Sequence, residues 1–337
     1  MKGERMKNNT LQLLALLLAL TMTVVLLAGC VGTTTEEPGT ESLTDTESVA
    51  ETEAETESEP RDPATIYQHV VIVGVDGAGA FFDDADMPNL DALLENAAVT
   101  YHMRTTEPSI SAQAWGTLLH GVLPAEHGLN NSIVIEQPYD VNSPYPSIFR
   151  LVRENRPDAV LGSFVNWNAI NSGIIEDEIG VEKGHNANDR NLADDVVKYI
   201  KNNQPTLLFI QYDEVDEVGH GSGWGSDEYL KQLLKTDIQI TRIYGACRDA
   251  GILDDTLFIV TADHGGINND HGGLTDDEMY VMLAVLGKTV EVGTITEDVN
   301  IQDIPVIVLY ALGLENQIPE SWTGRVPDGL FRNETAE

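Results

Sequence analysis

Cysteine is scarce in this 337-residue chain, which contains only Cys30 and Cys247. A framework of several disulfides, the usual way to stabilise a small secreted domain, is therefore excluded. Cys247 lies in a helix-forming stretch, residues 240–250, and we expect it to be buried and unreactive. The folded part of the chain must be stabilised by packing and by any metal ions that it binds.

Basic side chains are also few. The chain has 19 lysines and arginines against 55 acidic residues, so its formal net charge is −36 at pH 7. So negative a surface repels polyanions, which argues against nucleic acid or anionic lipid headgroups as binding partners. It says nothing about the fold.

Long apolar runs are missing except at residues 11–27, which follow a short basic start at residues 1–7. This arrangement is typical of a secretory signal. The run ends in L-A-G-C, which resembles the lipobox of bacterial lipoproteins, where the signal is cleaved before an acylated cysteine. We therefore predict a signal peptide at residues 1–29 and a membrane anchor at Cys30. The alternative is an uncleaved transmembrane helix, since the run approaches the roughly 18 residues that span a bilayer.

Residues 30–64 consist mostly of Thr, Glu, Ser, Ala and Asp. Apolar side chains are too few there to offset the entropy of ordering the chain, so we predict a disordered acidic linker. Its charges repel one another and extend it, which suits a spacer between a membrane anchor and a folded domain. Residues 65–337 remain, a length compatible with one large α/β catalytic domain outside the cytoplasm.

Predicted strands and helices alternate along this domain. Continuous β-branched runs such as H-V-V-I-V-G-V predict strands covered on both faces, and amphipathic stretches between them predict helices. The strands are predicted at 69–75, 159–164, 206–212, 256–261 and 280–286, and the helices from about 87 and at 111–121, 147–155, 189–202, 226–250 and 301–312. This alternation is typical of a three-layer α/β/α sandwich with a mainly parallel central sheet.

Acidic and imidazole side chains follow three of these strands, at the sheet edge where ligands of such folds bind. The set comprises Asp76, Asp213, Asp216, His220, Asp263, His264 and, slightly further on, His271. Taken singly, each fits a turn or a solvent-exposed position. Together, the carboxylates would repel one another and raise each other's pKa unless cations neutralise them. Mixed histidine nitrogen and aspartate oxygen donors suit zinc, or less selectively manganese or iron.

A nucleophile is predicted in the segment E-P-S-I-S-A-Q-A-W-G, residues 107–116. Pro108 disfavours helix for the residue before it and Ala112 onward favours helix, which places Ser111 at an N-cap. One interpretation is that this serine serves only as a helix cap. The start of a helix also binds phosphate, however, and a metal ion would lower the pKa of the hydroxyl. Ser109 is the competing nucleophile; Ser111 is preferred because it lies nearer the helix start.

The order and spacing of five motifs resemble the alkaline phosphatase superfamily, and most of all its type I phosphodiesterase/nucleotide pyrophosphatase branch. The motifs are V-I-V-G-V-D-G, S-A-Q-A-W-G-T-L-L-H-G-V-L-P-A-E-H-G, D-E-V-D-E-V-G-H-G, T-A-D-H-G-G and N-D-H-G-G, and the resemblance covers residues 68–330. In one respect the chain departs from that branch. The branch commonly has Thr followed by Phe-Pro-Asn at the nucleophile, whereas Ser111 is followed by Ala-Gln-Ala-Trp, so the substrate is less determined than the chemistry.

The resemblance implies a site with two divalent metal ions, Zn²⁺ as first choice and Mn²⁺ as second. One ion would be held by Asp76, Ser111, Asp263 and His264, and the other by Asp216, His220 and His271. The resemblance also implies an asparagine that donates to the phosphoryl oxygen; Asn131 is the choice, with the adjacent Asn130 left open. His127, in the P-x-x-H-G turn, is expected to have a structural role.

The implied reaction has two steps, in which Ser111 attacks phosphorus and water then hydrolyses the phosphoseryl enzyme. We therefore expect an extracytoplasmic hydrolase of small phosphate esters, lipid-anchored to a bacterial cell membrane. A diesterase is preferred to a phosphomonoesterase because no basic residue lies between residues 107 and 142 to bind the extra charge of a monoester. A more distant arginine, Arg150 or Arg190, would supply that charge if it folded back into the site.

Other functions stay open. Phosphonate hydrolysis needs the same site, whereas a sulfatase needs a C/S-x-P-x-R motif, whose Pro and Arg are missing around Ser109 and Ser111. A non-catalytic surface lipoprotein would lack metal ligands, and here every position is filled. Four residues within 132–190 are candidates to contact the leaving group, although core packing explains the aromatic ones equally well: Tyr145, Phe164, Asn166 and Trp167.

Overall fold

The computed structural model describes residues 67–332, and the predicted signal peptide, lipid anchor and linker lie outside them. The strands are β1 (His69–Val75), β2 (Ala98–Arg104), β3 (Leu161–Val165), β4 (Val181–His185), β5 (Leu207–Tyr212), β6 (Thr256–Thr261), β7 (Tyr280–Leu286) and β8 (Gly293–Thr294). The helices are α1 (Pro88–Leu94), α2 (Ser111–His120), α3 (Pro124–His127), α4 (Asn131–Glu136), α5 (Ile148–Asn155), α6 (Asp189–Asn203), α7 (Glu214–Ser222), α8 (Asp227–Asp249), α9 (Asp276–Met279) and α10 (Asp303–Ala311). A π-helix, Ile170–Ile174, follows β3.

The strands form one sheet in the order β4-β3-β5-β1-β6-β7-β2-β8. β7 pairs antiparallel with both β6 and β2, and the other pairings are parallel. The central strands β5, β1 and β6 are almost entirely buried, as the continuous apolar runs predict. Their ends therefore reach the same edge of the sheet, on neighbouring strands.

Helices cover the sheet in two sets. α1, α6 and α7 pack on α8, whereas α5 and α10 pack with α2. The predicted three-layer α/β/α sandwich with a mainly parallel sheet is confirmed. Within residues 67–332, no helix combines the length and the apolar character that crossing a bilayer requires.

The predicted strands and helices all form, with ends shifted by a few residues. The sequence patterns miss strands β2, β4 and β8, the short helices α3, α4, α7 and α9, and the π-helix. β2 and β4 carry polar side chains on an exposed face, so they lack the continuous apolar run of a central strand. Cys247 is buried in α8 as expected, and burial raises the pKa of its thiol to about 12.

Candidate metal centre and active site

The carboxyl ends of β1, β5 and β6 bring the predicted ligands together. Asp76 directly follows β1, Asp216 lies in the first turn of α7 after β5, and Asp263 follows β6. The ligand atoms form two groups, each with all its atoms within 4.8 Å of one another. We call Asp76, Asp263 and His264 the buried group, and Asp216, His220 and His271 the open group.

In the buried group, three ligand atoms face a common point. His264 Nε2 lies 3.2 Å from Asp263 Oδ2 and 3.5 Å from Asp76 Oδ1. The Ser111 hydroxyl lies 3.2 Å from the same nitrogen. Asp263 Oδ1 accepts the N–H groups of Gly77 and His264, at 3.0 and 2.9 Å, which leaves Oδ2 for the site. The four residues that the sequence assigned to one metal ion therefore converge.

The open group lies beside it. His220 Nε2 is 3.4 Å from Asp216 Oδ2, and His271 Nε2 is 4.0 Å from Asp216 Oδ1. The rings of His264 and His271 stack at 3.8 Å between centroids, so the two groups are neighbours. Gly77 has φ +66° and would place a Cβ 2.7 Å from Asp216 Oδ1, so only glycine allows this approach.

All three histidines are oriented in the same way. Their Nδ1 atoms lie 2.8 to 3.0 Å from backbone carbonyl oxygens, of Gly265 for His264, Asn269 for His220 and Ser109 for His271. Since a carbonyl only accepts, each Nδ1 carries the proton and each Nε2 presents its lone pair to the carboxylates. This is the tautomer of a histidine that binds a metal through Nε2.

The electrostatics of the site call for cations. Burial, then the charge of Asp76, raises the pKa of Asp216 to about 9 and that of Asp263 well above its ordinary value. Burial lowers the pKa of His264 to about 3 and keeps it neutral. Within the two groups, three buried carboxylate oxygens have no hydrogen-bond donor: Asp76 Oδ1, Asp216 Oδ1 and Asp263 Oδ2. Buried acceptors of this kind are costly unless something binds them, and they all point into the two groups.

Ser111 is the first residue of α2, and the N-cap is Ile110, in extended conformation. The prediction that Ser111 is itself the N-cap is therefore wrong by one residue, because Ile110 is the last residue with extended backbone. The amide of Asn131 reaches this first turn, where its Oδ1 accepts the N–H of Ala112 at 3.0 Å. Asn130 instead caps α4 with its side chain. Of the two candidates, only Asn131 lies against the helix start beside Ser111.

Ser109 and His127 have structural contacts. The fully buried Ser109 hydroxyl donates to Gly273 O at 2.9 Å and accepts the N–H of Gly272 at 3.1 Å. It therefore ties down the segment that carries His271. His127 lies 3.2 Å from Thr117 Oγ1, and burial lowers the pKa of its imidazole to about 3, consistent with the expected structural role.

The leaving-group candidates divide into two pairs. Phe164 packs on Tyr199 in the core, and Asn166 is buried and donates to Asp189. Tyr145 and Trp167 are half-buried against the core. The aromatic ring of Phe164 thus has the packing role that the sequence left open.

The three arginines that the sequence analysis considers, Arg104, Arg150 and Arg190, have contacts with other parts of the domain. Arg104 lies over the ring of Tyr280, at 5.7 Å, and Arg190 lines a cleft between α6 and α8. Arg150 donates to the carbonyls of Val141 and Ser143.

Two residues that contact the site were not predicted. Trp115 Nε1 and Gln211 Nε2 both donate to Asp76 Oδ2, at 2.8 and 2.9 Å. Gln211 lies within an apolar strand. Trp115 lies within α2, the helix whose first residue, Ser111, was the predicted site residue. Nothing in their local sequence indicates a partner as far away as Asp76.

The geometry agrees with the comparisons. A family model described as type I phosphodiesterase/nucleotide pyrophosphatase matches residues 70–290, well over half of the chain. The chain belongs to this family. Its members hydrolyse phosphoric esters and depend on divalent metals, and the protein is accordingly a phosphoric ester hydrolase of the alkaline phosphatase superfamily. No match to a curated protein was found.

Solved structures with the same fold include members of two branches of this superfamily. Murine ectonucleotide pyrophosphatase/phosphodiesterase 5 aligns with a TM-score of 0.62 and 13% identity, over 75% of this chain and 96% of that chain. Its inactive variant in complex with AMP gives the same values. A sulfatase from the glycosaminoglycan metabolism of Bacteroides thetaiotaomicron aligns with a TM-score of 0.59 and 17% identity, over 80% of this chain and 78% of that chain.

Proposed function

We propose that this family member is a metal-dependent phosphodiesterase with Ser111 as its nucleophile. One observation carries the proposal. Ser111 Oγ lies at the start of a helix, 3.2 Å from His264 Nε2, beside buried carboxylate oxygens that have no hydrogen-bond donor. A hydroxyl in that position adjoins a cation site and a phosphate-binding helix end at once.

The donors fit two divalent ions. The buried group and Ser111 would hold one, and the open group would hold the other. Neutral imidazole nitrogens with carboxylate oxygens favour Zn²⁺, with Mn²⁺ as the second choice. Bound ions would lower the pKa of the serine hydroxyl and offset the charge of the phosphoryl and leaving oxygens.

The chain itself supplies three further functions. Ser111 Oγ gives up its proton and forms the bond to phosphorus as the bond from phosphorus to the leaving oxygen breaks, and the leaving group departs as an alcohol after taking up a proton. Water then breaks the bond between phosphorus and Ser111 Oγ, which releases the phosphate monoester and restores the serine hydroxyl. The N-terminus of α2 faces the phosphoryl group with its positive end. Asn131, whose Oδ1 is engaged by Ala112 N–H, would donate from Nδ2 to a phosphoryl oxygen.

The charge around the site supports a diester over a monoester. The groups that most strongly shift the pKa values of Asp216 and Asp263 by their charge are all carboxylates. Arg150 donates to the Ser143 carbonyl and Arg190 lines the cleft between α6 and α8, and among the described residues neither forms an ion pair with Asp76, Asp216 or Asp263. A diester, with one negative charge, is the better match to a site whose described carboxylates pair with no lysine or arginine.

We also propose the location. The L-A-G-C sequence at residues 27–30 and the acidic linker at 30–64 support a domain, residues 65–337, lipid-anchored outside the cytoplasm. Replacing Cys30 by alanine should abolish acylation and leave the catalysis of the domain unchanged. Unaltered membrane attachment of that variant would favour a transmembrane anchor.

The decisive experiment compares kcat/KM for bis-p-nitrophenyl phosphate and p-nitrophenyl phosphate, with Zn²⁺ or Mn²⁺ present and metal content measured. We expect about two ions per chain, loss of activity with EDTA, and preference for the diester. Activity in a protein without metal would overturn the proposal that the enzyme depends on metal ions. A preference for the monoester of about a hundredfold would identify a phosphomonoesterase instead.

A further inference from the structure

The side-chain amide of Gln211 is bonded on all sides. Its Nε2 donates to Asp76 Oδ2 at 2.9 Å and to Asp213 Oδ1 at 2.7 Å. Its Oε1 accepts the backbone N–H groups of Asn166 at 3.1 Å and Trp167 at 2.9 Å. The Asn166 N–H also donates to the backbone carbonyl of Gln211 at 3.0 Å, so Trp167 is the residue whose N–H depends on the side chain alone. Both donor hydrogens and both acceptor positions are therefore used, in a side chain with no exposed surface.

On one side, the amide helps to select the oxygen that Asp76 presents. Trp115 Nε1 and Gln211 Nε2 both donate to Asp76 Oδ2, and Oδ1 is left without a donor, 3.5 Å from His264 Nε2. Hydrogen bonds of this kind hold a carboxylate ligand in one orientation.

On the other side, the amide holds the chain as it leaves β3. Asn166 and Trp167 begin the segment that continues into the π-helix, and Asn166 Nδ2 also donates to Asp189 Oδ1 at 2.8 Å. This is part of the 132–190 region, where the sequence predicts contacts with the substrate's leaving group. Trp167 is half-buried there.

We propose that Gln211 is a positioning residue that couples the orientation of Asp76 to the conformation of residues 166–174. Because the amide is planar, a shift of Gln211 Nε2 toward Asp76 also displaces Oε1. The two backbone N–H groups that donate to Oε1 must then shift or lose their hydrogen bonds. Occupation of the buried group therefore orders the 166–174 segment, and loosening of that segment weakens the buried group. The inference depends on the proposed role of Asp76 as a metal ligand.

Three variants test separately the hydrogen bond of the amide to Asp76 and its hydrogen bonds to the backbone of Asn166 and Trp167. Trp115→Phe removes a donor from Asp76 and leaves the contacts to Asn166 and Trp167 in place. Gln211→Met removes both sets of hydrogen bonds. Gln211→Glu keeps an acceptor for the two backbone N–H groups and removes the donors to Asp76.

Zinc affinity is measured by competition with a chromophoric chelator, and backbone hydrogen exchange at residues 166–174 is measured with and without zinc. All three variants should bind zinc at the buried group about 10 to 100 times more weakly. In the wild type and in Trp115→Phe, saturating zinc should slow exchange at Trp167, whose N–H donates to Gln211 Oε1. In Gln211→Met, exchange there should be fast and independent of zinc, and in Gln211→Glu it should stay slow.

Two results would overturn the inference: zinc affinity of Gln211→Met within twofold of the wild type, or the same zinc-dependent slowing of exchange in both. A wild-type protein that binds neither zinc nor manganese would instead refute the proposed function, so the two failures are distinguishable. KM gives a further readout. Gln211→Met should raise KM for diesters with bulky leaving groups more than for dimethyl-type diesters, whereas Trp115→Phe should affect both alike.

Discussion

The two groups of candidate ligands differ in how the fold holds them. Asp263 and His264 are completely buried and follow a central strand, and their backbone and side-chain atoms are bonded to one another and to Gly77. In the open group, the His220 side chain is 43% exposed and lies on α7, a helix of nine residues. Its Nδ1 contact is to Asn269, on an exposed turn.

This difference suggests different tasks. A rigid, water-excluded group keeps its geometry before any ion binds and sits against the Ser111 hydroxyl. A group with one exposed ligand, His220, can exchange ligands and water more easily, as the proposed site of a leaving oxygen and of an attacking water would have to. We expect the buried group to govern nucleophile activation, and the open group to be the more tolerant of substitution.

The largest effect should come from Ser111→Ala, which removes the proposed nucleophile next to the buried group. We expect turnover to fall at least ~1000-fold while metal content and thermal stability stay close to those of the wild type. Steady-state kinetics with bis-p-nitrophenyl phosphate and metal analysis check this. Ser109→Ala is the matched control, and a greater loss in that variant would move the nucleophile by two residues.

Next in size is the contrast between ligands of the two groups. Asp263→Asn should weaken zinc binding at the buried group at least ~100-fold, since a buried carboxylate ligand is lost, whereas His220→Asn should weaken the open group only ~10-fold. Zinc titration against a chelator of known affinity gives both values. Equal losses would mean that burial does not distinguish the two groups.

The metal-free protein should become less stable as pH rises. Burial and neighbouring carboxylates raise the pKa of Asp213 to about 8 and that of Asp216 to about 9. Below about pH 6.5 the lowered pKa values of His264 and His127 oppose this effect, but between about pH 6.5 and pH 9 the folded state binds more protons than the unfolded state, and the free energy of unfolding falls with pH. Urea unfolding at pH 7, 8 and 9 with EDTA checks this. Saturating zinc should remove or reverse the trend, and a rise in stability with pH in EDTA would contradict it.

The smallest effect is expected from Ser109→Ala. This change removes the two hydrogen bonds of the hydroxyl to Gly272 and Gly273 but keeps the carbonyl that accepts from His271. Zinc affinity should fall about threefold to tenfold at the open group and stay unchanged at the buried group. A loss confined to the buried group would show that Ser109 acts through Ser111 instead.

Much of the site was predictable because it depends on strand ends. A continuous apolar run marks a buried strand, and in a parallel sheet the residues that follow such strands meet at one edge. Asp76 and Asp263 could therefore be placed together from sequence, although 187 positions separate them in numbering. The resemblance of their motifs to the superfamily added the division of the ligands into two sets. The structure groups the same aspartates and histidines in space.

The hydrogen bonds to Asp76 that the sequence did not predict join residues far apart in the chain. Trp115 and Gln211 donate to Asp76 across 39 and 135 positions of the chain, and neither has a local pattern that indicates a hydrogen bond. The two exposed strands β2 and β4 were missed because their polar faces resemble loops. The N-cap was misplaced by one residue because its position depends on backbone dihedrals, which neighbouring residues only bias.

The sequence by itself determined the alternation of elements, the family, and the set of acidic and imidazole residues that converge, because periodicity and motif spacing are local properties. The tertiary structure alone decided which oxygen of each carboxylate stays free, which nitrogen of each histidine faces inward, and that Asn131, not Asn130, reaches the first turn of α2. Those choices depend on hydrogen bonds between segments far apart in the chain, and such bonds exist only after the segments have packed.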